Sequence, residues 1–570
     1  MKKYKRITLL TLLLSICFTC FVLTACKSDD ETPVVTGEPT KIEFEAAAVQ
    51  VEDKQLIRVS WESEDEIKEV SITLKHGEDV EKTMTVGGVS GLGLKETLRE
   101  ESSNSVVLDA FYGRHTIEVV AKNGDNVSEI KSLTIDVYTD EYNIAPLVAT
   151  VPVSVFTLGM RNYTNNYTIP TFFWLERANA WDFKYIPNNV YPIPTATQEE
   201  FTTEYSQARD EKTIAWIKEL YEINNDSKFN FFCNDYWSEV WLKASYGNGI
   251  PVENFKVTLL SDGIGSYSMF NDVYNNANAQ QNYEQYVDLW EDYKAGTITD
   301  LTEEQCRALV YVWVQDEDID VTWVINRIDT IGKENAEVSN KITELYADNT
   351  GRIRRYYLDK LWNELTETEK AHIKKLYHIG DVFSVADEQG KTPMIILGTA
   401  PTGEGNILEQ NIKALMSYYG NDYVYYYKGH PMYPTNAYPE KHQLFQNLGV
   451  LELESSIPAE FFYYFYPSVA YSGYGSSTFT NVGDEPSKAV FSSYENCNDN
   501  YKGELDVFIS QLDSSNATYG SLVSAGDNTK LLVQNKADLS QGVFAKVKVF
   551  DSVNKTFKMY NLVDGVYVEA

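Results

Sequence analysis

Apolar runs ending on a turn of small, charged or hydroxylated residues recur along this chain, each with helical patterns between them. This alternation limits the fold more than any other feature. Lys256 to Leu260 runs into Ser261-Asp262-Gly263, Met394 to Leu397 into Gly398-Thr399, and Tyr423 to Tyr427 into Lys428-Gly429-His430-Pro431. Strands separated by helices build parallel sheets, because a crossover must carry the chain back to the start of the next strand.

Two such blocks are expected. In the first, residues 147–380, Val148 to Leu158 reads as a buried strand, Glu199 to Ile223 as a helix, and FNFFCND as a further strand before the one ending at Asp262. From Asn282 to Ile379 the block reads as mostly helical, closing with LWNELTETEKAHIKKLYHIG. The second block, residues 381–513, continues from TPMIILGTAP through DYVYYYKGHP, VLELES and AVFSSY. Paired Rossmann-like blocks with a cleft between them outline a GT-B architecture, with ligands at the carboxyl ends of the strands.

The flanks differ. MKKYKR followed by an apolar run to Ala25 reads as a secretory leader, residues 1–25, and Leu23-Thr24-Ala25-Cys26 as a lipobox. Lipidation of Cys26 would anchor an exported protein in the bacterial envelope, with the outer membrane as its expected site, since two or three acyl chains hold where one is marginal. The competing reading is an uncleaved membrane anchor. Residues 26–40 read as a tether. Residues 41–140 carry short alternating runs (LIRVSWES, EVSITLKHG, HTIEVVAKNG) that predict an all-β, Ig-like sandwich with Trp61 in its core. Residues 514–570 are β-rich, either capping the second block or forming a small module. Cys17 and Cys20 lie in the leader; Cys233, Cys306 and Cys497 show no C-x-x-C spacing, so neither a disulfide framework nor a zinc site is expected.

A formal net charge of -34 argues against nucleic acid as a partner. It also obliges any site for an anionic ligand to supply local donors. The second block offers them. The turn Lys428 to Pro431 brings a cation and an imidazole to a strand end. Glu460 follows in Ile457-Pro458-Ala459-Glu460, and Ser476-Ser477-Thr478 supplies hydroxyls before a helix, where backbone amides and hydroxyls suit a phosphate. Asp262, at the end of a strand in the first block, suits a general base.

The order Asp262-Gly263, Gly398-Thr399 with Glu404-Gly405-Asn406, Lys428 to Pro431, Ile457 to Glu460, and Ser476-Ser477 resembles the bacterial sialyltransferases of glycosyltransferase family 80. The likeness runs from about Val148 to Gln511. It implies inverting, metal-independent transfer from CMP-sialic acid, or a related CMP-activated ulosonic acid, to a sugar hydroxyl such as a terminal galactose. In that case Asp262 would be the base and His430 the acid. Lys428 and Pro431 would border the cytidine, Glu460 would hold ribose hydroxyls, and Ser476 and Ser477 the phosphate. No metal or cofactor is expected beyond the CMP-activated co-substrate. The acceptor side departs from the family pattern: Gly403 stands where a stacking Trp is usual, and Ser261 where a first Asp is. Trp237, Asn234 and Glu404 are the acceptor-side candidates. A different class of function, a surface glycan-binding lipoprotein on a catalytically retired scaffold, is favoured by export and by the altered acceptor side. A periplasmic solute receptor would share the two-lobed outline but not the ordered motifs.

Overall fold

The computed structural model describes residues 41–51, 54–63, 67–77, 79–86, 105–123, 126–176, 181–193, 207–235, 238–400, 408–433, 435–482 and 486–491, and strands within 519–569. The chain divides into two compact units, one within residues 41–137 and the other beginning, apart from residues 50–54 and 111–113, at Tyr138.

In the first unit β1 (Glu43–Val51), β2 (Lys54–Glu62) and β5 (Ser105–Asp109) form one sheet. β4 (Asp79–Val86), β3 (Glu69–His76), β6 (Gly113–Asn123) and β7 (Asn126–Val127) form the other, with β8 (Lys131–Val137) also on β6. β2 pairs with β5, β3 with β4 and β6, and β6 with β7, all antiparallel. Side chains alternate between inside and outside along β3 and β6, the period-2 pattern of a sheet with one buried face. Trp61 is buried, as expected of a core aromatic.

The second unit contains two largely parallel sheets. The first runs β11 (Val190–Pro192), β10 (Thr171–Leu175), β9 (Glu141–Leu147), β12 (Lys228–Asn234), β13 (Phe255–Leu260), β14 (Asp320–Val324), β15 (Ile353–Arg354). Every pairing in it is parallel. The second begins β18 (Leu451–Leu453), β17 (Tyr423–Lys428), β16 (Thr392–Leu397), β19 (Ala470–Tyr474), β20 (Ser487–Phe491), again all parallel. Together these give the GT-B-like α/β architecture that the alternation predicts. Beyond β20 the sheet turns antiparallel. β22 (Lys530–Val533), β21 (Tyr519–Val523), β23 (Lys546–Asp551), β24 (Thr556–Val563) and β25 (Val566–Glu569) extend its edge, so the β-rich tail adds to the second sheet.

One reading of the sequence is corrected and a second, the mostly helical stretch, holds with an addition. Val148 to Leu158 is not a strand: helix α1 spans Thr150–Tyr163, and the strand lies just upstream as β9. Residues Val151 to Met160 of α1 are all buried, so no polar face marks a helical period, and its valines and threonine imitate a buried strand. Pro152 sits in the first turn, where a missing N–H costs nothing. The stretch from Asn282 to Ile379 is also interrupted. β14, Asp-Val-Thr-Trp-Val, is buried over its last four residues and pairs with β13 inside the first sheet.

One apolar core joins the two sheets. α1 contributes Val153 and Phe156 to it, and the second sheet contributes Ile395 and Tyr426. The hydroxyls of Thr157 and Tyr377, both buried, meet at 2.8 Å and tie α1 to the end of the helix Glu367–Leu376.

Candidate active site

Parallel register sets the site. Asn234, Leu260 and Val324 stand abreast at the carboxyl ends of β12, β13 and β14. Leu397, Lys428 and Gly473 stand abreast in the second sheet. The residues that follow these ends line one cavity of 440 Å³. It lies at the place in the second sheet where strand order reverses between β16 and β19, the position where open α/β sheets bind ligands. Asp262, Lys428, His430, Pro431, Glu460, Ser476 and Ser477 all line it, although they come from four separate segments. Among the remaining candidates, Asn234 is fully buried and does not line the cavity. The next residue, Asp235, is buried too and does not line the cavity, but it reaches the back of the Asp262 turn. Trp237, Glu404 and Cys26 lie outside the described residues.

The Asp262 turn is held from behind. Its backbone N–H donates to Ser266 Oγ at 2.8 Å and lies 3.2 Å from Asp235 Oδ1. Ser266 Oγ donates to the same Asp235 oxygen at 2.9 Å, and Trp323 Nε1 donates to Oδ2 at 2.9 Å. Burial pushes the Asp235 carboxyl up to about 6 against the pull of these donors. Gly263 follows with φ +69°. A Cβ there would sit 2.8 Å from Ser477 Oγ, so the turn of the first sheet approaches the serine of the second at a separation that only glycine allows.

On the opposite wall, the Lys428 ammonium is buried and donates to the Ser455 carbonyl at 2.8 Å. Desolvation lowers its pKa to about 8, opposed by the Glu460 and Glu454 carboxylates. His430 Nδ1 accepts the Met432 backbone N–H at 3.2 Å, so the neutral ring carries its proton on Nε2. Ser476 Oγ accepts the Thr478 N–H at 3.2 Å and contacts the Thr478 hydroxyl at 3.1 Å. The helix it precedes, Ser477–Val482, has only six residues, so the anion donors on this side are hydroxyls more than a helix dipole. Glu460 is buried in the helix Ala459–Phe465, where Oε1 accepts from Asn481 Nδ2 at 2.9 Å and from Thr478 Oγ1 at 3.3 Å.

The cavity wall also carries a cation that sequence reasoning missed. Arg307 stands on the helix Glu303–Trp313, which opens with a reciprocal capping box between Thr302 and Gln305. It also pairs with Glu303, one turn earlier. The capping box was readable; that the helix aims an arginine at the cavity was not. Cys233 and Cys306 are buried free thiols. Among the described residues, no group of three His, Cys, Asp or Glu is placed to hold a metal ion.

Several solved structures resemble this fold at low identity. The GT-B domain of a sialyltransferase from Photobacterium damselae matches with TM-score 0.47 and 15% identity, over 61% of this chain and 89% of that one. A 2,6-sialyltransferase from a Vibrionaceae Photobacterium species, solved with CMP and lactose, matches with TM-score 0.48 and 14% identity, over 79% of this chain and 86% of that one. A UDP-GlcNAc 2-epimerase from Neisseria meningitidis matches with TM-score 0.31 and 10% identity, over 59% of this chain and 79% of that one. No family model matches the chain, and no curated protein matches it. What the cavity can do chemically is read from its own residues.

Proposed function

We propose that this protein is an inverting glycosyltransferase that moves sialic acid, or a related ulosonic acid, from a CMP-activated donor to a sugar hydroxyl. The observation that carries the proposal is the meeting of Asp262, His430, Glu460, Ser476 and Ser477 on one cavity. The Asp262 carboxylate takes the proton from the acceptor hydroxyl, whose oxygen attacks the anomeric carbon as the bond to the phosphate oxygen breaks. CMP leaves as a phosphate dianion, and His430, once Nδ1 has taken up a proton and released the Met432 N–H, gives that phosphate its Nε2 proton. Lys428 and the two serine hydroxyls offer the remaining charge and donors, and Glu460 accepts from ribose hydroxyls. An acid and a base on opposite walls favour an enzyme over a binder, which would have no use for both. Under the same reading residues 41–140 are an Ig-like spacer, Cys26 carries the lipid of an exported protein, and Trp237 supplies the acceptor's stacking surface.

Calorimetry with CMP and CMP-sialic acid, followed by turnover with lactose, tests this reading. The intact protein is expected to bind CMP. His430→Ala should keep that binding and lose roughly 100-fold to 10,000-fold in turnover. Ser476→Ala should weaken CMP binding by about tenfold, the loss of one hydrogen bond to a charged group. An intact protein that does not bind CMP sinks the proposal.

A further inference from the structure

β14 and β15 are parallel neighbours with Val324 abreast of Arg354. Two residues past each strand end stand Asn326 and Tyr356, both buried. Their side chains converge on a single group of the second lobe, the Asn481 amide on the helix Ser477–Val482. Asn326 Nδ2 donates to Asn481 Oδ1 at 2.9 Å, and the Tyr356 hydroxyl donates to the same oxygen at 3.2 Å. Asn481 Nδ2 in turn donates to Glu460 Oε1 at 2.9 Å. Two donors on one side and a carboxylate on the other fix which way the amide faces. Burial holds the Tyr356 phenol well above its ordinary pKa, so it stays a donor across the working pH range. Ser261, the residue before Asp262, lies beside that phenol.

We propose that Asn481 is a positioning residue through which the lobe carrying Asp262 sets the grip of Glu460 on the nucleotide ribose. The proposal rests on the CMP-dependent reading above. Asn326 and Tyr356 do not line the cavity, yet through Asn481 they hold one carboxylate oxygen of Glu460, a residue that does line it. A nucleotide held mainly by the second lobe is thereby gripped best when the first lobe is seated, which is also the arrangement that brings Asp262 to the acceptor.

The test uses the full chain and two probes, CMP and 2′,3′-dideoxy-CMP, which lacks the hydroxyls that Glu460 would hold. Tyr356→Phe and Asn326→Ala are expected to weaken CMP by about fivefold each, one net hydrogen bond, while leaving the dideoxy analogue unchanged. Asn481→Asp keeps both inter-lobe bonds but sets a second carboxylate against Glu460, and it should abolish the preference between the two nucleotides. Melting temperatures of the variants separate this from unfolding. The inference is overturned if wild type prefers CMP and the first-lobe variants leave that preference intact, or if both nucleotides weaken equally. A wild-type chain that binds neither nucleotide overturns the CMP reading and this inference with it.

Discussion

Asp235 accepts from three donors with one buried carboxylate, and its chemistry has a consequence in pH. Burial raises its pKa from 3.8 to about 6. The folded chain therefore holds more protons than the unfolded chain between those values. Stability from this group is fully present below 3.8 and is lost as pH rises through about 6. Asp235→Asn should remove that part of the slope, read by urea unfolding at a series of pH values. It should also cut turnover by roughly 10-fold to 100-fold, because an amide cannot accept from Asp262, Ser266 and Trp323 together and the base is misplaced. A variant with wild-type turnover would mean that Asp235 does not position Asp262. At this scale the sequence was most legible where a motif coincided with a strand end. Lys428, His430, Glu460 and both serines could be picked because their neighbours announce turns. Asp235, Arg307 and Asn481 could not, since each owes its role to partners at least 20 residues away or to the direction of a helix.

At the level of elements, the β13 turn shows how closely the two sheets meet. Gly263 needs a left-handed backbone, and its missing Cβ leaves room for Ser477. Gly263→Ala is expected to cost about 1–3 kcal/mol in backbone strain alone, because φ +69° with ψ −134° is a region that side chains avoid. It should also push Ser477 aside, so CMP binding weakens along with the melting temperature. Gly263→Ala with unchanged CMP affinity would show that the approach to Ser477 has no part in the site. The strands bearing chemistry were legible for a related reason: β13, β16 and β17 are short, apolar and end in polar turns. α1 was not, because a helix buried all round loses the period that distinguishes it from a central strand. β14 was missed because five residues between helices give too short a signal, although Val321 and Trp323 are buried and pair across to β13.

For the whole molecule, the formal net charge of -34 sets a long-range field that repels an anionic donor. Close in, the balance differs: Arg307 and Lys428 stand beside Asp262 and Glu460 on the cavity wall, so the local charges of these four cancel. Repulsion at a distance is screened by salt with a Debye length of about 10 Å at 0.1 M, whereas pairing inside the cavity is screened much less. Donor capture should therefore run against the usual trend for anion-binding proteins. Raising sodium chloride from about 10 mM to about 150 mM is expected to increase kcat/KM for the CMP-activated donor by roughly twofold to tenfold, through faster association. KM for a neutral acceptor such as lactose should stay flat over the same range, because it carries no charge for the field to act on. Arg307→Met should lower donor kcat/KM at every salt concentration while preserving the upward slope, since it removes one local cation and barely changes the total. If salt instead weakens donor capture in the wild type and Arg307→Met flattens that dependence, local cations rather than the net charge govern the approach of the donor.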